Sequence, residues 1–239
     1  MNSTPKAAVA ARRPDRRFYT FMAALIAAIV FAGFAPSFYL RPLFESRTLT
    51  GLLVVHGVLF SAWVALLFTQ VRLVAVRRTD IHRKLGVAGG LLAAAMVVVG
   101  ILAAIYSAKR GFSPPGAPPA LSFMLISMTD MIVFPALVGT ALAFRRRTDV
   151  HKRLMLVATL SITVPALARI PFIAPLGLPG YFGLADLLIL GSMIYDRVRN
   201  GRFHPAFVWG LVFVVVSQAL RIALATSPGW LAIAGWLTR

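Results

Sequence analysis

The chain has 239 residues, of which 59% are apolar and 13% charged, with a mean hydropathy of +0.82; an ordinary soluble domain carries about 25% charged residues. Hydrophobic runs with short connections take up nearly all of the length, which excludes a separate soluble catalytic domain. A formal net charge of +18 would suggest nucleic acid in a soluble protein, but here the basic residues cluster between apolar runs. There they act as membrane topology signals, and no nucleic-acid partner is expected.

A hydrocarbon core of roughly 30 Å needs about 20 mainly apolar residues per helix. Seven runs qualify, at 18–40, 50–76, 85–107, 120–144, 154–174, 181–195 and 205–225. The expected fold class is therefore all-α, a polytopic membrane bundle. The first run follows an Arg-rich leader, as a signal peptide does, but about 23 apolar residues exceed the usual signal-peptide core, so it is read as an uncleaved helix. Pro165 and Pro171 interrupt the fifth run and are read as a kink; the sixth is short. With the N-terminus cytoplasmic, eighteen of the 25 Lys and Arg residues fall in inner segments and seven in outer ones, which fixes the orientation as N-in and C-out. The chain then divides into a basic cytoplasmic tail (1–17), the bundle (18–225) and a tail (226–239). Trp230 and Trp236 suit that last tail to the outer interface. The loop 111–119, with Pro114, Pro115, Pro118 and Pro119, is a stiff outer connection.

Residues 77–86 read RRTDIHRKLG and residues 146–155 read RRTDVHKRLM. Six identities fall in register at an offset of 69 positions, and both copies open a helix from an inner loop. Spans two–three and four–five are thus expected to be parallel hairpin repeats. A third inner helix start, at Arg202-Phe203-His204-Pro205, brings His204 to the depth of His82 and His151. Two readings of that level are open. In one, Thr79 and Thr148 cap their helices, Asp80 and Asp149 complement the helix dipole, and the basic residues hold lipid phosphates. In the other, His82 and His151 face each other as axial ligands of a b-type haem or share a metal, with His204 as a third cofactor-binding candidate. With no cysteine in the chain, thiolate ligation, disulfides and iron–sulfur clusters are excluded.

The motifs HRKLG (82–86) and HKRLM (151–155) resemble the His-Arg-x-Leu-Gly and His-x-x-Leu-Met helix-start signatures of small multi-pass bacterial membrane proteins. Some of these are similar to cytochrome-oxidase assembly proteins and others to cytochrome b561-like haem proteins. The resemblance covers the two motifs and their flanking helices. It implies a protein of the bacterial inner (cytoplasmic) membrane, near haem or copper chemistry, with quinone or respiratory-chain components as partners.

Ionisable residues within spans are costly and usually face the bundle interior. His56, Asp130, Arg169, Asp186, Gln218 and Arg221 all fall in the outer half of the N-in arrangement, His56 about 10 Å and Asp130 about 15 Å below the outer surface at 1.5 Å rise per residue. His56, Trp63 and Gln70 recur every seven residues and so share a face. Asp130–Arg169 and Asp186–Arg221 would cancel as pairs. The set reads either as structural staples between helices or as a cavity for a polar or anionic ligand or a quinone head group, with His56 and Asp130 exchanging protons. Met124, Met128 and Met131 stand at helical spacing; thioethers suit Cu(I), but such a stripe reads first as packing. The glycines of span three read as close helix contact. The sequence therefore offers a haem-binding, electron-transfer or respiratory-assembly membrane protein, with a small transporter, ligand-binding protein or non-catalytic scaffold as alternatives.

Overall fold

A computed structural model describes residues 5–44, 48–114 and 117–239. The N-terminal Met1–Thr4 portion of the basic tail, Arg47 and Pro115 lie outside the described residues, as do the side chains of Lys6, Arg12 and Arg13. The described chain is all-helical, without strands, and contains seven helices long and apolar enough to cross a membrane.

The first span begins in α1 (Pro5–Phe34) and ends in a π-helical turn at Ala35–Tyr39. Pro36 has no N–H to give the ladder, and the register widens, with Leu40 N–H donating to Ala35 O at 2.7 Å. The second span is α2 (Gly51–Ala75). Its end is closed by Arg78 N–H to Leu73 O and Arg77 N–H to Val74 O, a Schellman arrangement. That geometry puts Arg77 at φ 64°, where glycine is usual. The tight reversal leads directly into α3 (Thr79–Lys109), and α4 (Ala120–Ala143) follows. α5 covers Thr148–Ser161.

At the prolines the chain breaks and does not merely bend. Pro165 cannot donate to Ser161 O and its ring crowds that carbonyl, so α5 stops. The hydroxyls of Ser161 and Thr163 donate to Ala158 O and Leu160 O, and the chain restarts as the four-residue α6 (Val164–Leu167). A 3-10 turn at Ala174–Leu176 then opens α7 (Gly177–Asn200). The fifth span is therefore Thr148–Leu167 and the sixth, expected to be short, is the 27-residue stretch Ala174–Asn200. α8 (Pro205–Leu224) completes the seven. The C-terminal tail forms α9 (Pro228–Leu237), capped by Ser227, with Trp230 Nε1 donating to Leu121 O at 2.8 Å and Ala234 fully buried. It packs on the start of α4. Thr79 and Thr148 are first helical residues and provide no cap; the N-cap positions are Arg78 and Arg147, without side-chain capping bonds.

The two hairpins α2–α3 and α4–α5 lie side by side, and α8 closes over α4 and α5. The fifth span is the central one, with 67% of its apolar window buried against 11% for the second. Trp63 ties the centre together, its ring edge-on to Phe134 at 5.0 Å and its Nε1 donating to Thr159 Oγ1 at 3.2 Å. Phe207, Ile26, Val157, Leu160 and Ile189 fill the space around it. α1 approaches α6 so closely that a Cβ on Gly33 would stand 2.2 Å from Ala166 O.

Gly33→Ala must therefore push two backbones apart. Gly201, at φ 76° with open space around it, meets only the left-handed-backbone penalty of about 1 to 2 kcal/mol. Unfolding in detergent is expected to show a loss for Gly201→Ala of that size, a larger one for Gly33→Ala, and none for Gly191→Ala, which has open space and no positive φ.

Candidate functional site

His82 and His151 are each the fourth residue of their helices, and each donates its backbone N–H to the residue before the helix, Arg78 O and Arg147 O. Because the hairpins run parallel, the two helix starts meet at one end of the bundle. The imidazole centroids are 6.4 Å apart with ring planes at 87°. His151 Nδ1 lies 2.8 Å from Ala141 O; a carbonyl only accepts, so Nδ1 carries the proton and Nε2 is left with its lone pair. His82 Nδ1 is buried with no partner. Gln70 Nε2 donates to His82 O at 3.2 Å, while Gln70 Oε1 is buried and unpartnered. His204 is spent differently: Nδ1 accepts from Ala206 N–H and caps α8, and Nε2 sits 3.0 Å from Asp149 Oδ2. It shares the level of the other two histidines but both of its ring nitrogens are engaged.

The two copies of the motif have different surroundings. In the first, Asp80 reaches only Arg78, at 3.4 Å with both side chains exposed. In the second, Lys152 pairs with Asp15 of α1 at 2.8 Å, and Arg153 is buried against Asp196 of α7, with Asn200 Nδ2 donating to the same carboxylate oxygen at 2.9 Å. The Arg153–Asp196 pair is absent from the sequence reading. Its signal was available: the chain has only seven acidic residues against 25 basic ones, so a buried acid inside an apolar helix is a candidate for pairing with a cation.

The outer polar residues do not form one cluster. Arg221 of α8 reaches Asp130 of α4 at 2.6 Å, and also donates to Ile126 O and to Ser217. Asp186 of α7 accepts from Gln218 Nε2 at 3.0 Å. The pairing is thus Asp130–Arg221, with Asp186 on Gln218, in place of Asp130–Arg169 and Asp186–Arg221. α8 lies on both α4 and α7, and one turn separates its Gln218 from its Arg221. Arg169, carried past α6 by the chain break, donates to Pro165 O at 2.7 Å and lies 4.7 Å over the Phe34 ring. His56 stacks on Phe60 at 4.2 Å, and its buried Nδ1 has no partner. Arg169 forms no ion pair among the described residues. The methionine stripe packs: Met124 and Met128 lie among Ala104, Ala108 and Trp230, and Met131 Sδ fills the space beside Gly100.

Comparison with known protein families, with curated proteins and with solved structures finds no match to this chain. The function is therefore argued from the side chains alone.

Removing one partner of a buried pair strands a charge, at about 3 to 5 kcal/mol, whereas replacing both with apolar groups is often neutral. Unfolding in detergent is expected to show losses of that order for Asp130→Leu and for Arg221→Met singly, and recovery of most of the loss in the double variant.

Proposed function

We propose that this protein is a multi-pass haem protein of a bacterial inner membrane, N-terminus cytoplasmic, in which His82 and His151 would hold a b-type haem. The observation that carries the reading is the 6.4 Å separation of the two rings. Metal–imidazole bonds of about 2.0 to 2.1 Å on opposite sides of one ion, plus the ring radius, put two centroids about 6 Å apart. The donor set favours haem over a bare ion. Among the described residues no three His, Cys, Asp or Glu come together, so a zinc site with four protein ligands is not assembled. Haem iron takes four ligands from its own macrocycle and needs two from the chain.

The chain's own contribution is orientation and charge. Ala141 O holds the Nδ1 proton of His151 and so presents Nε2 as a donor, the outer-sphere contact expected of a ligating histidine. The unpartnered Nδ1 of His82 is a second available imidazole nitrogen. Arg83 and Lys84, exposed beside His82, are cations suited to carboxylate side arms. When bound, haem would supply one-electron chemistry, with quinone or a respiratory component as the exchange partner.

Protein purified from a haem-replete host is expected to give a reduced-minus-oxidised spectrum with a Soret shift and sharp α and β bands, lost in His82→Ala and in His151→Ala and kept in His204→Ala. A featureless spectrum from folded, haem-replete protein would overturn the assignment.

A second reading is supported by two outer residues, His56 and Arg169. An unpartnered imidazole nitrogen and a guanidinium with no carboxylate, both beside aromatic rings, suit the carbonyl oxygens of a quinone head group or another polar, electron-rich ligand. Binding of a short-chain benzoquinone, followed by tryptophan fluorescence quenching, is expected to weaken at least tenfold in Arg169→Gln and to be unaffected by Arg145→Gln. Equal binding by both variants would remove this reading.

A further inference from the structure

Six of the chain's seven acidic residues are described, and each has a partner: Asp15, Asp80, Asp130, Asp149, Asp186 and Asp196. The large excess of cations therefore has to be compensated from outside the chain. One group of these cations surrounds a groove. Between α1 and α2, at the end of the bundle that also carries the repeated motifs, lies a cleft of about 570 Å³ lined by Arg16, Arg17 and Arg72 together with Phe21, Ala24 and Ala75. Arg16 Nη1 donates to Ala75 O at 2.9 Å, which ties the two helices and leaves the other guanidinium donors of Arg16 available. Arg17 and Arg72 form no ion pair among the described residues. Thr20, also at the groove, turns its hydroxyl to its own helix, onto Arg16 O.

The groove is graded along the membrane normal. At 1.5 Å per residue, Phe21 and Ala24 lie about 6 to 12 Å further into the span than Arg16 and Arg17. Arg72 sits about one turn deeper than Ala75, between the two levels. A cationic rim above an apolar floor at the end of a membrane span has the polarity of one amphiphile, with its anionic head outward and its chain inward. Guanidinium groups match phosphate oxygens with paired hydrogen bonds, and Phe21, 61% exposed, offers a flat apolar surface to an acyl chain.

We propose that this groove is a specific binding site for an anionic glycerophospholipid, its phosphate held by Arg16, Arg17 and Arg72 and one acyl chain laid over Phe21 and Ala24. The site is at the level of the histidine pair but on the lipid-facing side of α1 and α2. It holds whether or not the protein carries haem.

The test is native mass spectrometry of the full chain released from detergent, titrated with phosphatidylglycerol, phosphatidylcholine or inorganic phosphate. Wild type is expected to retain phosphatidylglycerol at collision energies that strip phosphatidylcholine. Arg17→Gln/Arg72→Gln, which spares the structural bond of Arg16, is expected to bind it at least tenfold more weakly. A control, Arg145→Gln/Arg146→Gln, removes two charges from the same end of the bundle and is expected to leave binding unchanged. Ala24→Trp fills the groove without touching a charge and is expected to weaken retention as well. Equal losses in the control would mean diffuse surface charge and would overturn the proposal. So would displacement of the lipid by millimolar inorganic phosphate, or full retention in Ala24→Trp, since either would describe a phosphate site without a chain-binding floor. Thermal unfolding of each variant in the same detergent separates lost binding from lost fold.

Discussion

A buried charge in a low-dielectric interior has to find its counterpart, and this chain has few acids with which to satisfy its cations. Four of the described acids, two of them buried, therefore help decide which helices meet. Asp130 joins α4 to α8, Asp186 joins α7 to α8, Asp196 joins α7 to α5, and Asp15 joins α1 to α5. Four carboxylates between them tie five of the spanning helices around α5 and α8. Apolar packing is weakly directional when the surroundings are as apolar as the protein. Three ion pairs and the Asp186–Gln218 hydrogen bond supply the direction, while Trp63 and Phe134 provide the fit at the centre.

The repeated motif shows how one sequence can acquire two roles from its surroundings. Lys84 and Arg153 occupy equivalent positions, as do Asp80 and Asp149. The start of α3 is exposed and its copy stays at the surface; α5 is enclosed, and its copy is consumed by Asp196, His204 and Asp15. Only the histidines of the two copies come together. Their meeting follows from the parallel relation of the hairpins, which places equivalent residues at equal depth, and from α4 running back between them. α2 links the two ends of the molecule along one face: His56 in the outer half, Trp63 at the centre, and Gln70 on the backbone of His82.

Much of this was legible in the residues. Seven hydrophobic runs became seven membrane-length helices because an apolar segment in lipid has to satisfy its backbone internally. The seven-residue spacing put His56, Trp63 and Gln70 on one face of α2, of which only Trp63 is buried, and the offset of 69 positions put His82 and His151 at one level but left open whether they face each other, which the 6.4 Å between their rings decides. The misreadings are of a different kind. Which cation meets Asp130 depends on how α8 lies across α4 and α7, and periodicity carries no information about that. The kink expected at Pro165 became a break because hydroxyls at Ser161 and Thr163 accommodate the interrupted ladder there. The bond from Trp230 to Leu121 O that holds the tail to α4 is likewise a contact that no local pattern announces.

The close approach of Gly33 to Ala166 has a consequence for how the protein is made. α1 packs on α2, made soon after it, but the backbone that meets it at Gly33 lies 133 residues further along the chain, beyond the break in the fifth span. At about 5 to 20 residues per second of synthesis, α1 enters the bilayer on the order of ten seconds before that surface exists. During that interval the side of α1 that carries Gly33, at the end of the helix, is covered by lipid or by the insertion machinery. α1 thus meets α2 early and its partner at α6 late.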